Sequence, residues 1–146
     1  MDECIFCRIA DGSADAVVLY EDSEIMAFLD IAPIRPGHTH IIPKQHFDTF
    51  DVLPSELAGR IMVLGQIIAR KLKSAYRVTR VAFVFTGGDV AHAHAHVIPM
   101  VEKTDITSAR YIVSPQELQW ASDHLNVGRD TLLEVRRTLG MSEGPT

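Results

Sequence analysis

Cysteine is scarce in this 146-residue chain, with only Cys4 and Cys7. In a reducing compartment, two such cysteines are not expected to form a structural disulfide. Basic residues are in the minority, 14 against 19 acidic ones, for a net charge of −5. That balance argues against a nucleic-acid coat, which would need a basic face. No stretch approaches the roughly 20 apolar residues of a membrane span. The opening "MDECIFCRIADG" starts acidic and has no long apolar run, so no signal peptide is expected. A cytoplasmic protein with neither nucleic-acid polymer nor membrane as partner is the default expectation. Repeats and low-complexity tracts are also missing. What remains is a chain long enough for one compact domain with its own core.

Short apolar runs separated by turn residues come first. "AVVLYED" (16–22) and "EIMAFLD" (24–30) predict a β-hairpin. "IAPIRPGHT" carries two prolines and a glycine and predicts a loop. "HTHIIPK" predicts a third strand ending near Pro43, because proline lacks the ladder donor. From Pro54 to about Arg77 the period changes. Leu57, Ile61, Leu64, Ile68, Leu72 and Ala75 recur at steps of three and four, the face of one helix. Pro54 suits its first turn, and Arg70, Lys71 and Lys73 complement its C-terminus. Gly65 inside that helix costs about 1 kcal/mol against alanine; close packing on a sheet would account for it.

"RVAFVFTGG" and "HAHAHVIPM" predict strands four and five, followed by a polar loop, "VEKTDITSAR". "SPQELQWASDHL" has Ser114, Pro115 and Glu117 in a capping-box pattern and predicts a helix start. A further helix is predicted over "RDTLLEVRRTL", with "GMSEGPT" fraying. The fold class expected is α+β: a five-stranded antiparallel sheet with one long helix packed on it, plus a C-terminal helical extension.

His92, His94 and His96 stand at every second position with alanine between. On a strand they share one face at a spacing of about 7 Å. Ala93, Ala95 and Val97 then face the other way, where a second layer can approach closely. Aligned imidazoles serve metal ligation or acid–base and nucleophilic chemistry near neutrality. The bland alternative is an exposed polar strand face. A cupin-type metal site would want a glutamate where Val101 stands; Glu102 is one residue off, on the wrong face of a strand.

"HAHAHVI" resembles the signature of the histidine triad family of nucleotide hydrolases and transferases. "CIFCRIADG", "IMAFLDIAPIRPGHTHIIPKQH" (25–46) and the long helix follow the family's order over roughly the first 100 residues. Residues 1–110 are accordingly expected to be the triad domain and 111–146 a helical extension of it. The resemblance implies that His94 is the nucleophile. It would cleave a P–N or P–O bond at the α-phosphate of a nucleoside phosphoramidate, dinucleoside polyphosphate or acyl-nucleotide through a nucleotidyl-histidine. It implies that His96 and His38 hold the phosphate and assist the leaving group, that Asp30 accepts from the ribose hydroxyls, and that Phe28 and Ile31 line the base pocket. It also implies a structural zinc on Cys4, Cys7, His46 and His92, and a homodimer joined at the long helix, where Met62, Val63 and Ile67 extend the apolar surface.

Two departures stand out. Gly88 and Asp89 occupy the places where family members usually carry Gln and then Ser or Thr, and a carboxylate there opposes a phosphate oxyanion. A nucleotide- or partner-binding module with weak or no catalysis is therefore the alternative function, and a protein whose histidines are all metal ligands is a third. His40 replaces an apolar residue and is expected to be a surface histidine; His124 is expected in the C-terminal helix, with no role in the site.

Overall fold

The computed structural model describes residues 4–106, 112–114, 119–120 and 123–141. Short helix α1 (Ile5–Ala10) precedes strands β1 (Val18–Glu21), β2 (Ile25–Leu29) and β3 (Thr39–Pro43). Long helix α2 (Ser55–Tyr76) follows, then β4 (Arg80–Val84) and β5 (Ala95–Met100). These five strands form one antiparallel sheet in the order β1-β2-β3-β5-β4. The expected architecture is the observed one, with the C-terminal helix α3 (Arg129–Leu139) added to it.

Strand alternation divides the sheet's side chains between two layers. Leu19, Ile25, Ala27, Leu29, Ile41, Ala95 and Val97 meet Ile61, Leu64, Ile68 and Leu72 of α2 and Leu132, Val135 and Leu139 of α3 in one core. Val18, Met26, Phe28 and Ile42 point the opposite way and pack with Phe6 and Ile9 of α1. Short helix α1 covers part of that second face, its Phe6 ring reaching over His40, His92 and His94.

Two glycines mark close approaches. A Cβ on Gly65 would lie 2.5 Å from the Phe83 ring, so α2 sits against β4 at the distance the sequence called for. Gly37 has φ +96°, and a Cβ there would lie 2.4 Å from Leu72; it makes the left-handed turn that delivers His38 to the sheet. The loop before it is tied down by Arg35, which donates from Nε and Nη2 to Asp105 at 2.9 and 3.0 Å. Asp105 is 1% exposed and also accepts the Val101 and Glu102 amides.

Several local expectations need correction. Pro54 is the N-cap of α2 rather than part of its first turn, and of the three basic residues only Lys73 lies in the last turn. The fifth strand begins at Ala95, so His92 and His94 precede it. Ala93 donates its N–H to the Phe47 carbonyl at 2.6 Å instead of joining the ladder, although it stays in the α2-side core. Among the described residues of the helix predicted from Ser114, strand is found instead: Ile112–Ser114 (β6) pairs antiparallel with Gln119–Trp120 (β7). β-branched residues precede Ser114, and a residue before proline is biased to extended backbone. Pro115 and Glu117 lie outside the described residues. Helix α3 forms where expected and closes at Gly140 with φ +65°. Met141, expected to fray, is instead buried in the α2–α3 core; residues 142–146 lie outside the described residues.

Candidate functional site

Among the described residues, two clusters and a cavity lie on the histidine face. The first cluster begins at α1, whose N-cap is Cys4. Cys4 Sγ lies 3.4 Å from His92 Nδ1, and Cys7 Sγ lies 3.2 Å from His46 Nδ1 and 3.5 Å from His92 Nδ1. All four ligand atoms lie within 4.8 Å of one another. Four donors around one tetrahedral zinc stand about 3.3–3.8 Å apart, so the group can hold a metal. The outer partners agree. His92 Nε2 faces the Pro43 carbonyl at 2.8 Å and His46 Nε2 faces Asp48 Oδ1 at 2.7 Å. Each ring therefore carries its proton on Nε2 and turns the Nδ1 lone pair toward the sulfurs, the usual outer-shell device of metal-binding imidazoles. Burial, reinforced by the neighbouring sulfur, pushes the Cys7 thiol up to about 11. Burial also opposes ionisation of Cys4, but hydrogen bonds from Cys7 and His46 hold it below its ordinary value. A cation on the sulfurs would deprotonate both.

His94 is 3% exposed. Its Nδ1 lies 2.8 Å from the His92 carbonyl, so Nδ1 carries the proton and Nε2 keeps its lone pair. Phe6 stands edge-on to the ring with centroids 5.0 Å apart. Burial lowers the ring's basicity, against the pull of the His92 carbonyl, which favours a neutral imidazole, the nucleophilic form.

The second cluster lies across β3 and β5. Strand register sets Phe28 opposite His40, and His40 opposite His96. His38 Nδ1 accepts the Ile34 N–H at 3.1 Å. Neutral His38 therefore carries its proton on Nε2 and donates it to His96 Nδ1 at 2.9 Å. His96 then has its own proton on Nε2, 3.5 Å from Thr86 Oγ1. Burial pushes His38 down to about 3 and His96 to about 2, so both are neutral at pH 7. Asp30 Oδ1 accepts the Ala32 N–H at 2.7 Å, and Oδ2 lies 2.8 Å from His40 Nε2. Burial would raise Asp30, but the hydrogen bond to His40, the nearness of the His40 and His38 rings and the Ala32 N–H outweigh it and hold the carboxyl well below its usual range. The ligand atoms of Asp30, His38, His40 and His96 also lie within 4.8 Å of one another. Here, however, the Ile34 amide directs the His38 proton into the cluster, so the group is a hydrogen-bond network and not a metal cage.

A cavity of about 350 Å³ opens beside this network, lined among others by Phe28, Asp30, Ile31, Asp89, His94 and His96. Ile31 is 61% exposed at its rim. His38 is buried behind His96 and does not line it; Gly88 is exposed outside the lining. Asp89 lines both this cavity and an adjoining groove with Cys4, His46 and Asp48. His40 corrects its expectation, being 8% exposed and bonded to Asp30. Its alternation with His38 was visible in the sequence, but the cover provided by Phe6 and Phe28 was not. Asp123 and Asn126 also line the cavity and had no sequence signal. His124 lies in an exposed 3-10 turn, Asp123–Leu125, and not in α3.

The comparisons with known proteins agree with this geometry. The model of the HIT domain matches residues 11–103. An uncharacterized HIT-like protein of Methanocaldococcus jannaschii is 39% identical over 103 residues, covering 68% of this chain and 80% of that protein. The crystal structure of a zinc-bound histidine triad family protein from Mycobacterium smegmatis has a TM-score of 0.69 at 26% identity, covering 95% of this chain and 94% of that one. That of a HIT family hydrolase from Legionella pneumophila has a TM-score of 0.61 at 34% identity, covering 68% of this chain and 95% of that one. With the triad leading into β5, the cavity beside it and the domain match over most of the fold, this chain belongs to the HIT family.

Proposed function

We propose that the protein is a nucleotidyl hydrolase acting at the α-phosphate of a nucleoside phosphoramidate, dinucleoside polyphosphate or acyl-nucleotide. The observation that carries this reading is the His94 ring, whose Nδ1 is committed to the His92 carbonyl while the ring lines the cavity with Asp30. The Nε2 lone pair attacks phosphorus; the P–N or P–O bond to the leaving group breaks, and that group departs with the electron pair and takes up a proton. Water then attacks phosphorus, the P–Nε2 bond breaks, a water proton is released, and the nucleoside monophosphate leaves. One difficult displacement becomes two easier ones. The chain from the Ile34 amide through His38 to His96 keeps a proton on His96 Nε2, which donates to a phosphate oxygen in place of its long contact with Thr86 Oγ1. Asp30 accepts from the ribose hydroxyls, and Phe28 and Ile31 line the base.

A structural zinc on Cys4, Cys7, His46 and His92 belongs to the same proposal, as does a homodimer through the α2 surface, where Met62, Val63 and Ile67 are exposed. So do a cytoplasmic location and the division into a triad domain, 1–110, and its extension, 111–146. The HIT family hydrolase of Legionella pneumophila supports the reaction class, and the zinc-bound relative of Mycobacterium smegmatis supports the metal. Asp89 at the cavity favours a second reading, a nucleotide- or partner-binding module with weak or no turnover. Steady-state assay on a panel of phosphoramidate and dinucleoside polyphosphate substrates separates the two. His94→Ala is expected to lower turnover by about 10³-fold or more with an unchanged melting curve; unchanged turnover contradicts the proposal.

A further inference from the structure

A buried imidazole at His40 is an awkward occupant. Its ring packs against Phe28 and Phe6 at centroid distances of 5.3 and 5.4 Å, where an apolar side chain would be at home. Its Nδ1 is buried with no hydrogen-bond partner, an arrangement that disfavours the folded state. The polar contact made by this ring is at the other end, Nε2 to Asp30 Oδ2 at 2.8 Å.

That contact completes a pattern on Asp30. An ionised carboxylate has about four acceptor sites, two per oxygen. The Ala32 amide takes one on Oδ1, and His40 takes one on Oδ2. The two donors come from different elements, the turn after β2 and strand β3, and together they fix the rotation of the carboxylate. One acceptor site per oxygen remains, beside the cavity. The next donor to Oδ2 is His38 Nε2 at 3.5 Å, already engaged with His96 at 2.9 Å. Without His40, the carboxylate would be free to swing toward His38 and compete for that proton.

We infer that His40 is a positioning residue for ribose recognition, holding Asp30 so that its two remaining acceptor sites meet the vicinal 2′- and 3′-hydroxyls of a ribonucleotide. This rests on the reading of Asp30 as the ribose acceptor. His40 also lines the cavity; acting through Asp30, it sets the preference for a diol over a deoxy sugar.

The test is calorimetric binding of AMP, GMP and their 2′,3′-dideoxy counterparts to the metal-loaded protein. The wild type is expected to prefer the better-bound ribonucleotide over its dideoxy form by about tenfold or more, the worth of one hydrogen bond to a charged acceptor. His40→Leu should weaken the ribonucleotide about tenfold, leave the dideoxynucleotide within about twofold, and so remove the preference. His40→Gln, whose amide can still donate to Oδ2, should restore most of it. Asp30→Asn should remove the preference by itself, and adding His40→Leu to it should change the ratio no further. A preference retained in His40→Leu, or an equal loss for both sugars, overturns the inference. Should His40→Leu fail to fold, the His40→Gln and Asp30→Asn arms decide it: no recovery of preference in the first, or full preference in the second, is contrary. Failure of the wild type to bind any nucleotide sinks the underlying functional reading as well, whereas a diol preference indifferent to His40 sinks this inference alone.

Discussion

The two four-residue clusters on the histidine face have the same span, each with ligand atoms within 4.8 Å of one another, and both contain histidines brought by β5 and the segment before it. They differ in where the ring protons point. Around Cys4, Cys7, His46 and His92, the Nε2 protons go outward to the Pro43 carbonyl and Asp48, so lone pairs converge. Around Asp30, His38, His40 and His96, the Ile34 amide occupies His38 Nδ1, so the His38 proton points into the cluster and onto His96 Nδ1. Composition alone would class both as metal sites. The partner behind each ring decides which cluster fits a cation and which passes protons and orients a carboxylate.

The largest expected effect comes from removing a sulfur. Cys7→Ser should take the purified protein from one zinc per chain to essentially none, measured by atomic emission, and lower its stability. His96→Asn and His38→Asn should leave the zinc content at one. Zinc lost from these variants, or retained by Cys7→Ser, would reverse the assignment of the clusters. A smaller effect is expected from Asp48→Ala, which leaves every ligand in place but removes the acceptor behind His46. Zinc affinity by competition with a chelating dye should fall about 10–100-fold; no change would mean the outer contact is idle.

The proton-bearing cluster should show itself in acid. His38 and His96 are depressed to about 3 and about 2 in the folded state, against about 6.5 unfolded. Their contribution to stability is therefore fully present above pH about 6.5 and is lost as pH falls below that value toward 3 and 2. Each group adds at most about 1.4 kcal/mol per pH unit to that slope. Denaturant melts between pH 6.5 and 4.5 should fall in stability with decreasing pH, and His96→Asn should flatten the slope. An unchanged slope in that variant would indicate that His96 is not held neutral by its surroundings.

Much of this was legible beforehand for a physical reason. The hairpin, the third strand and α2 announce themselves through local periodicity and turn residues, and the triad's alternation holds even though His92 and His94 lie ahead of β5. The four candidate zinc ligands also converge as the resemblance implied. What escaped depends on contacts between distant parts of the chain. Ala93 leaves the ladder because it bonds Phe47. Met141 is buried because α3 returns against α2. His40 is enclosed because Phe6 and Phe28 close over it. The proton directions depend on Ile34, Pro43 and Asp48, residues whose types carry no such signal.

Between the clusters stands His94, and its role as nucleophile can be measured directly. The protein is mixed with a reactive nucleoside phosphoramidate, quenched during the first turnover at mildly alkaline pH, and its intact mass recorded. The wild type should gain the mass of one nucleoside monophosphoryl group, mapping to His94, and His94→Ala should gain none. An adduct that persists in His94→Ala, or that maps to another residue, would contradict the account.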